Sequence, residues 1–137
     1  MTTTSPRQPR PRPGINADTE FFWEGLAASE LRVQRCNDCG DLEHPPTVRC
    51  LACGSTDRGY LVSSGRGTLY SYVVVHHPQI PCFDYPLAVG LVELDEGVRL
   101  ITNVVDPEPD QLSVGLPVEV SFVQDGDLTL HQFKVRK

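Results

Sequence analysis

The sequence predicts a mostly β protein that has an N-terminal helix, a four-cysteine segment and a five-stranded antiparallel barrel. Four of the five cysteines form two C-x-x-C pairs, and five segments in the second half of the chain alternate as strands do. The 11 Gly and 12 Pro among 137 residues interrupt long helices and favour short strands joined by turns. This length suffices for one ordinary domain or for two small units that share a core.

Residues 1–14 are predicted to be a flexible leader. They contain four prolines at every second or third position, together with Arg7, Arg10 and Arg12, so they form neither a helix nor a packed core. A solvated tail, a linker to another domain and an arm that docks on a partner all fit this composition.

Residues 15–30 are predicted to hold a helix, which runs from about residue 19 to 29. Asp18 or Thr19 can cap its N-terminus, and Glu20 in the first turn suits the positive end of the helix dipole.

Three consecutive aromatic residues, Phe21, Phe22 and Trp23, lie in this helix. At roughly 100° per residue they wrap about 200° of its circumference, so they cannot all face one small core. Either the helix packs on the chain's own strands and leaves one Phe partly exposed, or the aromatic residues form a docking patch for a partner protein.

Residues 31–63 contain the two C-x-x-C pairs, which are separated by ten residues and each followed directly by Gly. Two tight turns of this spacing direct four thiolates at one centre, which is the arrangement of a tetrahedral metal site. We expect structural Zn²⁺ rather than disulfides. Iron, which binds in the same tetrahedral arrangement of four sulfurs, is the alternative metal. Because four protein ligands close the site, we expect it to be non-catalytic. The predicted ligands are Cys36, Cys39, Cys50 and Cys53.

Residues 64–137 are predicted to form the barrel. Five strand-like segments are separated by Gly, Pro, Asp and Asn, and the fourth segment alternates Val118, Val120 and Phe122 with polar residues. Five short antiparallel strands fit a Greek-key barrel of the OB type, and an SH3-like barrel fits the same pattern. The segments cover residues 65–77, 85–95, 98–105, 117–124 and 128–135.

The charge of the chain argues against a nucleic-acid partner. The net charge is −6, and beyond residue 14 nine basic residues face eighteen acidic ones. Binding to single-stranded nucleic acid needs a cationic groove with stacking aromatic residues. Tyr70, Tyr72 and Phe133 could stack, so this function stays as an alternative. It is disfavoured because the barrel segment has a net charge of −5.

Independent catalysis and membrane insertion are also disfavoured. The histidines, tyrosines and Cys82 show no spacing that identifies a nucleophile, a base and an orienting group. Cys82 has no partner in the sequence and is expected to be a free, buried thiol. The chain has neither an apolar run of roughly 18 residues nor the pattern of a signal peptide, so we expect a cytoplasmic protein without membrane association.

Six motifs in order resemble the domain-of-unknown-function 35 family over about residues 15–135. They are F-F-W-E-G at 21–25, C-x-x-C-G at 36–40, P-P at 45–46, C-x-x-C-G at 50–54, G-R-G-T-L-Y-S-Y at 65–72 and E-G-V-R-L at 96–100. Glu30 departs from the small residue or glycine of many relatives. The resemblance implies an N-terminal helix, a rubredoxin-like zinc ribbon and a C-terminal OB-fold.

The resemblance also implies a function in acyl-CoA metabolism. Members of the family accompany thiolase-fold enzymes and help to enclose the acyl-CoA. The chain is most similar to members that act with thiolase-like retro-aldolases of bacterial steroid side-chain degradation, some of which are domains at the end of a hydratase subunit. We therefore expect a non-catalytic accessory subunit or domain of a carbon–carbon lyase, whose catalytic residues lie on the partner.

Two groups of residues are predicted to serve this role. Phe21, Phe22 and Trp23 are expected at the interface with the thiolase-like partner. The proline-stiffened loop from residue 76 to 85 is expected near the acyl-CoA substrate, through His76, His77, Phe83 and Tyr85.

Overall fold

A computed structural model describes residues 8–137. It contains one α-helix, a small three-stranded sheet and a closed five-stranded barrel. The helix α1 spans Glu20–Ala27. The small sheet consists of β1 (Arg32–Cys36), β2 (Leu42–Glu43) and β3 (Arg58–Val62). The barrel consists of β4 (Arg66–Val75), β5 (Leu87–Leu94), β6 (Arg99–Asp106), β7 (Pro117–Asp125) and β8 (Leu128–Val135).

The barrel confirms the five predicted strands and closes in the order β4-β5-β6-β8-β7. Four of its strand pairings are antiparallel, whereas β6 and β8 are parallel. The prediction of an antiparallel barrel is corrected for this pair. A closed ring with an odd number of strands cannot alternate direction throughout, so closure requires one parallel pairing. This strand order is that of an OB-fold, and it decides against the SH3-like alternative.

The barrel core follows from the alternation in the sequence. In β5 every second residue, from Ala88 to Leu94, is buried, and β6 buries Leu100, Thr102 and Val104 in the same way. Leu69, Val92, Val118 and Phe133 are completely buried at the centre.

The helix α1 is shorter than predicted, and the side chain that bonds the N–H groups at its start is Asn16. Asn16 Oδ1 accepts the backbone N–H groups of Asp18 at 2.9 Å and Thr19 at 3.2 Å, and no side-chain cap bond comes from Thr19 itself. Thr19 therefore holds the N-cap position, as one of the two predicted residues, but the side-chain bonds come from Asn16, because the chain starts to coil one turn earlier. Glu30, the departure from the family pattern, accepts hydrogen bonds from Arg32 at the helix end.

The ribbon and the barrel meet at residues 63 and 64. The carboxylate of Glu96, in the β5–β6 turn, accepts the Ser63 hydroxyl at 2.7 Å and the Ser64 backbone N–H at 2.9 Å. This carboxylate gives the E-G-V-R-L motif a structural role, because it ties the barrel to the end of the ribbon.

The predicted flexible leader is described only from residue 8, and residues 1–7 lie outside the described part. Residues 8–14 contain neither helix nor strand, but two of their arginines contact the barrel. The backbone N–H of Arg10 and the guanidinium of Arg12 both reach Asp125 Oδ2, at 3.1 and 3.4 Å. The Arg10 guanidinium also lies 4.8 Å from the centre of the Phe83 ring. This stretch therefore lies along the barrel between the β7–β8 hairpin and the β4–β5 loop.

Within the described residues, the one α-helix has only eight residues, and no helix is long and apolar enough to cross a membrane.

Candidate metal centre and partner surfaces

The four predicted ligands lie on two turns with the same hydrogen bonds. In each turn the glycine N–H donates to the carbonyl of the first cysteine at 2.9 Å, from Gly40 to Cys36 and from Gly54 to Cys50. Both glycines have φ near +80°, which only glycine adopts without strain. The sequence folds this way because each C-x-x-C-G segment returns the chain on itself and directs both sulfurs inward.

The geometry of the sulfurs fits a tetrahedral metal ion. All four Sγ atoms lie within 4.8 Å of one another, and the Cys36–Cys53 and Cys39–Cys50 pairs are each 3.6 Å apart. A metal–sulfur distance of about 2.3 Å at the centre of a tetrahedron requires sulfurs about 3.8 Å apart. The separations are far above a disulfide bond length, and all five cysteines are free thiols. The four cysteines would fill all four coordination positions of a tetrahedral metal ion, so no position is left for a substrate.

The cysteine at the end of β1 is prepared to act as a thiolate. The backbone N–H of Cys39, followed by that of Asp38 and the neighbouring thiols, lowers the pKa of Cys36 to about 7 although burial opposes the shift. Although the backbone N–H of Asp41 opposes the shift, the neighbouring thiols and burial raise the pKa of Cys39 to about 12, and the pKa of Cys53 is also raised. The cluster therefore favours one thiolate at Cys36 rather than four, and a metal ion would supply the positive charge that four thiolates need.

A buried polar network surrounds the metal centre, and sequence reasoning missed it. Glu43 accepts the Leu51 backbone N–H at 2.9 Å and the Thr47 hydroxyl at 2.7 Å. With Arg58 beside it, these contacts lower the pKa of Glu43 to about 2. Gln34 bonds the Thr47 backbone in both directions at 2.9 Å. The only sequence signal was polar residues at strand positions, and the burial that makes them informative appears only in the folded ribbon.

The three helix aromatic residues have different environments. Phe22 is 7% exposed, and its ring contacts Trp23, His44 and His131 at centroid distances of 5.4 to 5.9 Å. Phe21 stacks on Tyr60 at 5.8 Å. Both Phe21 and Trp23 stay partly exposed at the edge of the core. Phe22 is therefore not available as a surface contact, because it joins the helix to the ribbon and the barrel, whereas Phe21 and Trp23 remain accessible.

The loop predicted to lie near substrate joins β4 to β5 at one end of the barrel. His76 lines a cavity of about 530 Å³, and Phe83 lines a neighbouring cavity of about 490 Å³. Pro86, Glu108 and Pro109 belong to both cavities. His77 and Tyr85 line neither of these two cavities; Tyr85 instead accepts the Ile80 backbone N–H at 3.0 Å and fixes the loop. Cys82 is buried there, as predicted.

An apolar patch on the barrel exterior was also missed by sequence reasoning. Val73 is 59% exposed and Ile101 is 69% exposed, and both border a shallow groove with Val89 and Leu91. Periodicity identified the strands but did not single out their outward apolar positions as a surface.

Few of the aromatic residues considered for nucleic-acid stacking are available for it. Phe133 is fully buried, and the Tyr72 hydroxyl donates to the Leu112 carbonyl at 3.1 Å on a partly buried ring. Tyr70 is covered by the Arg99 guanidinium, which lies 3.7 Å from the ring centre. Tyr70 is 46% exposed, so one of the three rings remains at the surface, and these three residues do not form a row of stacking rings.

Two half-buried histidines, His44 and His131, lie on either side of Phe22 where the helix, the ribbon and the barrel meet. His131 Nδ1 shares a 3.0 Å hydrogen bond with the Thr102 hydroxyl, and Phe22 packs on both histidine rings. Burial, followed by repulsion from His44, lowers the pKa of His131 to about 4, and burial also lowers the pKa of His44. Both are therefore neutral at pH 7.

We expect this junction to weaken below pH 6.5. The folded-state pKa of His131 lies below the unfolded value, so the folded state binds fewer protons, and its stabilisation is complete above about pH 6.5 and lost towards pH 4. Between pH 7 and pH 5 the free energy of unfolding should fall by about 2 kcal/mol from this group. Urea unfolding at both pH values measures the loss.

The matched control is His131→Gln, which retains a hydrogen-bonding side chain but does not titrate. Between the two pH values the free energy of unfolding of the variant should fall by about 2 kcal/mol less than that of the original chain. Any loss of metal at the lower pH should lower the stability of both proteins equally. An equal drop in both proteins would show that another group causes the acid sensitivity.

A helix, a three-stranded ribbon around four cysteines and a closed five-stranded Greek-key barrel define a zinc-ribbon and OB-fold protein. The family models for the rubredoxin-like zinc ribbon domain and the C-terminal OB-fold domain of ChsH2 match residues 23–57 and 60–123. A "DUF35 domain-containing scaffold protein" of Methanothermobacter thermautotrophicus is 34% identical over 94 residues, which are 67% of this chain and 71% of that protein. The chain belongs to the DUF35/ChsH2 family.

Two further relatives carry more specific descriptions. The "3-oxo-4,17-pregnadiene-20-carboxyl-CoA hydratase alpha subunit" of Mycobacterium tuberculosis is 41% identical over 123 residues, which are 90% of this chain and 39% of that subunit. A chain in a solved structure described as "Ltp2-ChsH2(DUF35) aldolase" is 43% identical with a TM-score of 0.87, and the match covers 90% of this chain and 98% of that one. The chain spans about two fifths of the length of the hydratase α subunits it matches.

Proposed function

We propose that this chain is a non-catalytic accessory subunit or domain that binds a thiolase-like acyl-CoA enzyme, a retro-aldolase of steroid side-chain degradation. The observation that carries the proposal is the similarity to the chain of the solved aldolase, at 43% identity over 98% of that chain. The relative described as a steroid acyl-CoA hydratase subunit supports the substrate class. We further propose that the four-cysteine site holds structural zinc, which stabilises a ribbon too small to fold alone.

In this proposal the partner supplies the acid and base groups for carbon–carbon bond cleavage. This chain buttresses the partner and walls part of the acyl-CoA tunnel, which positions the substrate and excludes water. The two adjoining cavities at the end of the barrel, lined by His76 and Phe83, support the placement of the β4–β5 loop near substrate. His77 and Tyr85 belong to the same loop, where Tyr85 holds its shape.

Phe21 and Trp23 are proposed as the interface residues of α1, because they are the partly exposed members of the aromatic group. Phe22 acts indirectly, since it is buried beneath them and holds the helix in place.

The test is a tagged pull-down from native bacterial lysate at moderate salt, with mass spectrometry and an acyl-CoA cleavage assay on the eluate. We expect a thiolase-like protein to co-purify, and the eluate to cleave a steroid β-hydroxyacyl-CoA that the isolated chain leaves intact. Activity of the isolated chain, or recovery of nucleic acid without a protein partner, would contradict the proposal.

Two variants locate the contact within the same experiment. The double variant Phe21→Ala with Trp23→Ala should abolish co-purification while the barrel stays folded. Ile101→Ala, on the apolar barrel exterior, is the matched control and should retain the partner. Retention by the double variant together with loss by Ile101→Ala would move the interface from the helix to the barrel.

A further inference from the structure

Arg58, the first residue of β3, has a buried guanidinium beside the second cysteine turn. Its side chain is 11% exposed, and it pairs in register with Cys36 of β1. A cation in this position has lost most of its hydration, so its donors need partners inside the protein.

The oxygen partners of Arg58 all lie at one of its three nitrogens. Nη2 donates to Gln34 Oε1 at 2.5 Å and lies 3.4 Å from Glu43 Oε1. Nε and Nη1 are buried, and within residues 8–137 neither has an acceptor in hydrogen-bonding geometry. Leaving a buried donor without an acceptor is destabilising, and more so for a charged group, so a native acceptor is expected there.

The sulfur of Cys50 is the group that can fill this role. A carboxylate oxygen of Glu43 and Cys50 Sγ lie within 4.8 Å of each other, and Arg58 Nη2 lies 3.4 Å from Glu43 Oε1, so the guanidinium and the sulfur both lie beside this carboxylate. A neutral thiol accepts hydrogen bonds weakly, whereas a thiolate bound to a metal is a charged acceptor. Four thiolates around a divalent ion leave a net charge of −2, which one guanidinium halves.

We propose that Arg58 donates a hydrogen bond from Nε or Nη1 to the metal-bound thiolate of Cys50, and so acts as a positioning residue that retains the metal. Glu43 and Gln34 hold the guanidinium in place from the opposite side. Outer contacts of this kind typically change metal affinity by about 10- to 100-fold. The inference rests on the proposed structural zinc.

The test compares zinc release from the full chain to a chromogenic chelator in Arg58→Met and Arg49→Met. Arg49 is the matched control, because it is an exposed arginine on the same turn whose Nη1 donates to the Gly54 carbonyl at 2.6 Å rather than to sulfur. Release should be about 10- to 100-fold faster in Arg58→Met and near the original rate in Arg49→Met. An unchanged rate in Arg58→Met, or equal acceleration in both variants, overturns the inference.

Cobalt substitution keeps the inference falsifiable if Arg58→Met fails to fold. Arg58→Lys keeps the positive charge but loses the planar guanidinium. Without the hydrogen bond the thiolate gives up its electrons more easily, so the sulfur-to-cobalt charge-transfer band of the cobalt-substituted variant should lie at longer wavelength than that of the original chain. An unmoved band overturns the hydrogen bond. If the chain without substitutions contains no metal after purification, the proposal of structural zinc is overturned, and this inference with it.

Discussion

Cys36→Ser should lose the bound metal and unfold the ribbon while the barrel keeps its fold. The serine hydroxyl is a poor ligand, and the ribbon buries few apolar side chains of its own besides Leu31 and Val33. Zinc binding contributes about 10 to 16 kcal/mol to the folding of small zinc-finger peptides, so its loss outweighs any other single contact in such a unit. Leu31 and Val33 belong to the same hydrophobic cluster as Val92 and Phe133, but the barrel strands supply most of its buried members, so we expect the barrel to stay folded.

Metal content per chain and hydrogen exchange by mass spectrometry measure the two parts of this result. The metal should fall well below one equivalent, and the amides of β1 and β3 should exchange quickly while those of β5 and β6 stay protected. Cys82→Ser is the matched control, since this buried thiol lies in the β4–β5 loop and belongs to no cysteine cluster among the described residues. Retention of one full equivalent by Cys36→Ser would refute the ligand set.

Phe22→Ala should destabilise the whole chain by about 3 to 5 kcal/mol. The ring is 7% exposed and touches His44 of the ribbon and His131 of the barrel, so its removal leaves a cavity where three elements meet. Urea unfolding measures the loss. The chain has a single tryptophan, Trp23, whose fluorescence reports this junction because its ring lies 5.4 Å from Phe22.

Phe21→Ala is the comparison for that result. The Phe21 ring is partly exposed and stacks on Tyr60, so we expect the free energy of unfolding to fall by about 1 kcal/mol. Equal losses in the two variants would mean that the helix is held by its exposed edge rather than by the buried ring. The comparison also separates folding from partner binding, because Phe21 is proposed for the interface and Phe22 for the core.

Local features of the chain were predictable from sequence because their cause is local. Two C-x-x-C-G segments form similar turns wherever they occur, and alternating side chains identify a strand with one buried face. For this reason the clustering of the four cysteines, the five barrel strands and the mostly β class were all correctly predicted. The N-cap position at Thr19 was among the predicted positions, but the capping side chain was not predicted, because the path of the preceding chain selected Asn16.

The tertiary structure decided the features that depend on contacts between distant segments. Three consecutive aromatic residues look equivalent in sequence, and only the position of the ribbon histidine and of β8 buries Phe22 rather than its neighbours. Arg58 meets Gln34 across 24 residues, a pairing that no periodicity encodes. The parallel β6–β8 pairing arises from closing an odd-numbered ring. Sequence patterns record which face of an element is apolar, whereas packing chooses which residue on that face meets which partner.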